Sequence, residues 1–385
     1  MNSKSRYKVT VSCGTKFHSD YTAYQLQKHG LLKSVLTAHP KSRYLNRVKL
    51  ERNRVTFFPP IFAISYFLRK ISSVFNGVSS WLDYNMPILF DKLAAKKLKN
   101  SDILITWAWS GLESIKQIKK LGGIAIVEEC GSCNKFQNKI LLEEYTNLDL
   151  KFETPTPDHI VERQLREAQI ADYILCPSQH VMNSFIENGI SEHKFRLIPY
   201  GVNQGIFKPK WIENEEFTII FVGTIGVRKG LIYLFKALEL LEIPFKCILI
   251  GSVETQFQEY YRQYAHLFTH YVHVPHHELV DYYNKASAFV FPSLDEGMAL
   301  VQLEAMACGL PIICTPNSGG DSVVTEGIEG YIVPIRNPSA IAQKITHLYN
   351  NPALRNSMAR KASESATLYN WETYGIKLAN FINSI

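Results

Sequence analysis

The chain has 385 residues, of which 46% are hydrophobic, 12% aromatic and 20% charged. That excludes a mainly disordered, collagenous or coiled-coil protein and predicts two or three globular domains. Lys and Arg number 42 against 35 Asp and Glu, a net charge of +7; the excess suits phosphates or acidic lipid surfaces and is too small to establish nucleic-acid binding.

Strand-like and helix-like runs alternate along the chain, the pattern of parallel sheets covered by helices, so the fold class is α/β. In the first half, strands are predicted at residues 7–13, 103–107, 124–127 and 173–177. Helices are predicted at 21–29, 111–120, 161–171 and 181–188, the last stopped by Gly189. The stretch 198–209 (IPYGVNQGIFKP) has neither period and reads as an interdomain linker. Beyond it, strands are expected at 217–222, 245–250, 271–274, 288–291, 311–314 and 331–333. A helix follows the first of them, carrying Leu231, Leu234, Phe235, Leu238 and Leu241 on one face. Further helices are expected at 279–285, 298–308, 339–349, 352–365 and 371–385.

The seven cysteines are odd in number and lie mostly in apolar runs, which fits reduced thiols and a cytoplasmic setting. The N-terminal MNSKSRYKVTVSCG lacks the apolar run of a secretory signal. The longest apolar run, 55–68, is interrupted by Pro59-Pro60 and is shorter than the roughly 18 to 20 residues a spanning helix needs. Lys41, Arg43, Arg47, Lys49, Arg52 and Arg54 precede that run. Two readings stay open for 41–68: a block that settles on an anionic membrane surface, or a loop and helix packed on the first domain.

The stretch from Phe289 to Thr315 is the most informative. A strand ends, a short loop carries Glu296, and a helix carries Glu304. Eight residues at 1.5 Å rise separate these carboxylates by about 12 Å, too far for an acid/base pair and suited to two ends of one long ligand. Free N–H groups at Met298, Ala299 and Leu300 would face a phosphate between them. In FVGTIGVRKG, Gly223 and Gly226 allow close backbone approach, and Arg228 and Lys229 can hold a diphosphate beyond a strand's carboxyl end. The Ser318-Gly319-Gly320 turn adds a third loop to the same rim.

Together these segments resemble the retaining GT-B-fold glycosyltransferases of the family four, or glycosyl transferases group 1, type. The Glu296-x7-Glu304 spacing followed by AMACGLPII is the specific part, and the likeness extends over most of 160–385. The resemblance implies two doubly wound Rossmann-like domains facing a cleft. These would be an acceptor-binding domain at 1–204 and a nucleotide-sugar domain at 205–367, with a last helix, about 368–385, packing back on the first. It further implies that Glu304 holds the nucleotide ribose and Glu296 the donor sugar, with Met298 and Ala299 amides beside sugar and phosphate and Arg228 and Lys229 on the diphosphate. Gly14, His18, Gly223, Thr224 and Leu300 complete the expected donor site. A nucleotide-diphosphate sugar would be the co-substrate and a saccharide or lipid-linked saccharide the acceptor, with no other cofactor and no nucleic acid; only the membrane reading of 41–68 would put the chain on the inner face of the membrane.

The chain departs from the family pattern at Thr224, where an arginine is common, and at Asn134, which aligns with a histidine; His18 is an alternative site histidine. The chain contains no Asp-x-Asp, so a metal-independent reaction is expected. Cys130 and Cys133 read as ordinary loop thiols, His270, His273, His276 and His277 as solvated or packed histidines, and Asp158, Glu162, Arg163 and Glu167 as a charged helix face.

Overall fold

A computed structural model describes residues 7–14, 17–72, 78–152, 155–212 and 216–385. The first sheet is built from β1 (Val9–Cys13), β2 (Leu32–Thr37), β3 (Val55–Phe57), β4 (Ile103–Trp107), β5 (Ile124–Glu128), β6 (Tyr173–Cys176) and β7 (Phe195–Leu197). Its spatial order is β3-β2-β1-β4-β5-β6-β7, and each neighbouring pair is parallel. The helices around it are α1 (Ser19–Lys28), α2 (Ser42–Asn46), α3 (Pro59–Ser72), α4 (Val78–Ala95), α5 (Leu112–Lys120), α6 (Asn134–Asn147), α7 (Asp158–Ile170) and α8 (Gln179–Ile186).

The second sheet contains β8 (Thr218–Val222), β9 (Lys246–Ile250), β10 (Thr269–Tyr271), β11 (Ala288–Phe291), β12 (Ile312–Cys314) and β13 (Gly330–Ile332) in the order β10-β9-β8-β11-β12-β13, again parallel. Around it lie α9 (Leu231–Glu239), α10 (Gln258–Gln263), α11 (Leu279–Asn284), α12 (Leu300–Ala307), α13 (Pro338–Asn350) and α14 (Pro352–Ala366). Central strands such as β8 (TIIFV) and β11 (AFVF) are buried at every residue, which is why they read as unbroken apolar runs rather than alternating ones.

The last helix, α15 (Trp371–Ser384), packs on α1. Tyr21 and Trp371 stack with centroids 4.2 Å apart, and the Thr22 and Tyr374 hydroxyls lie 3.0 Å apart. The chain therefore crosses between the sheets twice. At the crossing, Val202 N–H donates to the Tyr369 carbonyl at 2.9 Å, and a Cβ on Gly201 would stand 2.3 Å from Trp371 N. Only glycine lets the two crossing segments run this close.

Most expected elements fall within a residue or two of their predicted bounds. Three differences matter. β2, β3, β7, α2, α4, α6 and α10 fall outside the expected elements, since their runs are short or weakly periodic. The edge strand β10 lies at Thr269–Tyr271 rather than at 271–274. The helix after β11 opens at Leu300, not Met298, with Ala299 as its N-cap.

The strand order reverses between β1 and β4 in one sheet and between β8 and β11 in the other. In open α/β sheets such switch points leave a crevice at the strands' carboxyl ends, because successive crossover helices leave on opposite faces.

Candidate active site

The loops after β8 and β11 are joined along their length. Leu294 N–H donates to the Arg228 carbonyl at 2.9 Å, and the Ser293 hydroxyl donates to the same oxygen at 3.2 Å. Gly230 has φ +66°, and a Cβ there would sit 2.1 Å from the Pro292 carbonyl. Glycine is thus required both for the left-handed turn into α9 and for contact with the next loop. A third loop joins them: Glu296 N–H donates to the Asn317 carbonyl at 2.8 Å, and Gly319, at φ +71°, lies directly against Gly297.

This framework brings Arg228, Lys229 and Glu296 together. Arg228 donates to Glu296 Oε2 at 2.7 Å and to the Asp295 carbonyl at 2.8 Å, and Lys229 bonds the same Glu296 oxygen. Lys229 also lies over the Phe291 ring, 5.0 Å from its centroid. Burial pushes the Glu296 carboxyl up, but the two adjacent cations outweigh it and hold the group at about 2. Burial and the neighbouring Arg228 draw the Lys229 ammonium down, against the pull of Glu296. Arg228 and Lys229 thus exceed Glu296 by one positive charge, and the Glu254 carboxylate, which accepts from Val227 N–H at 3.1 Å, lies near enough to interact with both cations. Gly223 and Thr224 stand half-buried where β8 ends.

Glu304 lies in a separate cluster. Its side chain is nearly buried, bonded by His276 Nε2 at 2.7 Å and by the Tyr283 hydroxyl at 3.3 Å. Hydrogen bonding to Glu304 raises His276 above its usual value, with burial opposing. His276 is therefore neither simply solvated nor packed; it is the exposed cover on Glu304. The helical estimate of 12 Å between Glu296 and Glu304 does not apply. Only Leu300 to Glu304 is helical, about 6 Å of rise, and the rest of the path is loop. Met298 and Ala299 are buried ahead of the helix, and the first-turn N–H groups belong to Leu300 and its successors.

The first sheet supplies the facing wall. Gly297 is so close to the loop after β5 that a Cβ would meet the Cys130 carbonyl at 1.7 Å, and the Ser178 hydroxyl donates to the Gly297 carbonyl at 2.5 Å. Asp295, buried, accepts from Gln137 at 2.6 Å and pairs with His180 at 2.8 Å. Farther along, Arg336 donates to Glu144 at 2.7 Å while the Tyr233 hydroxyl donates to the same carboxylate at 2.5 Å. These cross-cleft partners carried no sequence signal, because each pair joins residues at least 89 positions apart.

His18 caps α1 with its Nε2 2.5 Å from Glu128 Oε1, and its ring lies 4.2 Å from that of Tyr200 and 5.6 Å from that of Trp371. Gly14 packs against α4, where a Cβ would come within 2.8 Å of the Phe90 ring; close helix packing by itself accounts for glycine there. Asn134 opens α6, buried, its N–H donating to Gln164 Oε1 at 2.8 Å.

The charged face expected on α7 is overturned in part. Arg163, only 9% exposed, lies between Asp91 at 2.5 Å and Glu167 at 3.2 Å, and it donates to the Trp109 carbonyl at 2.9 Å. Glu167 is fully buried, accepts N–H bonds from Trp109, Gly111 and Leu112, and is pushed by burial to about 7. Arg163 thus shapes the loop after β4. In 41–68, Arg43 and Arg47 pair with Asp20 and Arg54 with Glu51, while Phe62, Ile64 and Tyr66 of α3 are exposed. The side chains of Phe67 and Leu68 lie outside the described residues. No helix among the described residues is long and apolar enough to cross a membrane.

Residues 203–365 match the family described as Glycosyl transferases group 1. Among curated proteins, a D-inositol 3-phosphate glycosyltransferase of Paenarthrobacter aurescens is 24% identical over 78% of this chain and 78% of its own. The capsular polysaccharide biosynthesis glycosyltransferase CapM of Staphylococcus aureus is 33% identical over 44% of this chain and 46% of its own. The chain spans only about half the length of some curated relatives it matches. The solved structure of HepE from Anabaena in complex with UDP superposes with a TM-score of 0.69 at 13% identity, covering 98% of this chain and all of that one. The fold is GT-B.

Proposed function

We propose, from the match of residues 203–365 to the glycosyl transferases group 1 family, that the chain is a retaining, metal-independent glycosyltransferase of that family. It moves a sugar from a nucleotide-diphosphate donor to a saccharide or lipid-linked saccharide in cell-surface polysaccharide or glycoconjugate assembly. The observation that carries the reading is the cluster of Arg228, Lys229 and Glu296, gathered by three loops at the switch point between β8 and β11. The capsular polysaccharide relative and the UDP held by the HepE structure support the choice of substrate class.

The donor lies along the second-domain wall. Its diphosphate replaces Glu296 as partner of Arg228 and Lys229, and the N–H groups opening α12 add a partial positive charge. Glu296, released from one or both cations, accepts hydroxyls of the donor sugar; Glu304, with His276 moved aside, accepts those of the ribose. Met298 and Ala299 amides, Gly223 and Thr224 line the same path, and Gly14 and His18 bound it from the first domain. The bond from the sugar's anomeric carbon to the phosphate oxygen breaks with positive charge on the sugar and negative charge on the diphosphate, so stabilising the leaving group lowers the barrier most. The acceptor oxygen bonds to the anomeric carbon on the face the phosphate leaves, and its proton passes to the departing phosphate oxygen. No side-chain base is needed for that step, which accommodates an amide at Asn134.

The apolar side chains exposed on α3 support a peripheral seat on an anionic membrane from the cytoplasmic side; loss of liposome binding at low salt would remove that part. A thermal-shift screen over nucleotide sugars, followed by transfer assays with the stabilising donor, tests the whole reading. A true donor raises the melting temperature by mass action. Asn134 at the aligned histidine position also favours a second reading, a non-catalytic subunit that binds sugar nucleotides. That reading requires stabilisation by a donor with neither transfer nor slow donor hydrolysis.

A further inference from the structure

Beneath the loop that touches Gly297, three side chains of different chemistry converge. The ligating atoms of His18, Glu128 and Cys130 all lie within 4.8 Å of one another. They come from two strand ends: His18 from the loop after β1, Glu128 from the last position of β5, and Cys130 from the loop that follows it. Glu128 is 2% exposed; its Oε1 meets His18 and its Oε2 is shielded from solvent with no hydrogen bond of good geometry, although the Tyr374 hydroxyl lies near enough to interact with the carboxylate. A buried carboxylate oxygen left in this state costs free energy unless something occupies its lone pairs.

We propose that His18, Glu128 and Cys130 form a binding site for a thiophilic divalent cation of the zinc class. A point exists within about 2.8 Å of all three atoms, since none is more than 4.8 Å from another. Shifts of up to about 0.8 Å bring them to zinc distances of about 2.0–2.3 Å, with the 2.5 Å contact between His18 Nε2 and Glu128 Oε1 opening as the cation enters. The mixed sulfur, nitrogen and oxygen set selects zinc or cobalt over magnesium and calcium, which take oxygen ligands. On binding, Cys130 loses its thiol proton to solvent and Sγ bonds the cation. His18 changes tautomer, its ring hydrogen passing from Nε2 to Nδ1, and binds through the Nε2 lone pair; Glu128 supplies a carboxylate oxygen, and a water completes the tetrahedron. The Cys130 carbonyl rests on Gly297, so the cation stiffens the contact between the first domain and the Glu296 loop. The site shares His18 with the boundary of the proposed donor path but none of the diphosphate cluster, and cation binding does not depend on the transfer reading.

The test is titration of the metal-free full chain with Co²⁺, read by absorption. One equivalent should give the intense visible bands of tetrahedral cobalt and a thiolate-to-cobalt charge-transfer band, both displaced by Zn²⁺, with about one proton released per site. Cys130→Ser should abolish the charge-transfer band while Cys133→Ser retains it, and His18→Gln should weaken binding at least tenfold. Zn²⁺ should raise the melting temperature of the unmodified chain and raise that of His18→Gln less at the same concentration; this second readout, with circular dichroism of each variant, separates lost ligation from lost folding. Absence of a charge-transfer band in the unmodified chain, or its persistence in folded Cys130→Ser, overturns the proposal.

Discussion

Replacing Glu296 by Gln keeps the shape of the side chain and removes its charge, leaving Arg228 and Lys229 facing one another without a counter-ion. In the folded protein the carboxyl is held at about 2 against 4.5 for a free glutamate. At about 1.4 kcal/mol per unit, that displacement corresponds to a ceiling of about 3.4 kcal/mol. Glu296 is 23% and Arg228 34% exposed, so solvent screening reduces the expected loss to about 2 kcal/mol. For a domain of this size that lowers the melting temperature by about 4–8 °C.

The folded value lies below the unfolded one, so the contribution is complete above pH 4.5 and is lost as pH falls toward 2. About three-fifths of it survives at pH 3.5. The stability gap between the unmodified chain and Glu296→Gln should therefore be constant from pH 7 to about 5.5 and narrower at pH 3.5, when followed by thermal or urea unfolding at fixed ionic strength. The same substitution should tighten binding of a free nucleoside diphosphate severalfold by calorimetry, because the two cations are no longer neutralised, while sugar transfer falls. A gap that does not change with pH, or a variant as stable as its parent, would refute the assignment of Glu296 as the counter-ion of this cluster.

Lys229→Ala should lower kcat by about 10²–10³-fold, the usual cost of removing one charge-stabilising donor from a reacting centre; steady-state release of nucleoside diphosphate measures it, and unchanged kcat and KM would exclude the role. On the proposed donor pose, protonated His276 would compete with ribose hydroxyls for Glu304; its folded value is raised, so the pair's stabilisation is full below 6.5 and lost as pH rises through that raised value. Donor KM should accordingly fall about two- to fivefold between pH 6.5 and 8.5, within the range of an exposed ion pair, and His276→Ala should flatten that profile. Gly297→Ala places a methyl group onto the Cys130 carbonyl. It should hold the domains apart at this point, seen as lost transfer with donor-induced stabilisation largely retained.

The apolar runs of β8 and β11 and the one-face periodicity of α9 were legible locally, because each strand is covered on both faces and each helix on one. The Glu296-x7-Glu304 spacing, the adjacent cations after β8 and the glycine turn at Gly319 likewise stood in single short segments. They carried the family resemblance without any knowledge of contacts. Amphipathic or short elements such as β3 and α4 gave no comparable signal, since what stabilises them is packing on neighbours distant in the chain. The opening of α12 at Leu300 follows from burial of Met298 and Ala299 against other loops rather than from helix preference.

Which loops meet was a matter for the tertiary structure alone. Arg228 and Glu296 lie 68 positions apart, and they touch because β8 and β11 are neighbours at the point where strand order reverses. Glu304 is covered by His276, Arg163 is locked between two buried acids, and Glu128 is brought to His18 by the pairing of β1 with β4 and of β4 with β5. Local sequence determines which residues can bear charge at a strand's carboxyl end. The order and register of strands determine which charges share a crevice, because only closure of the sheet converts separation along the chain into contact in space.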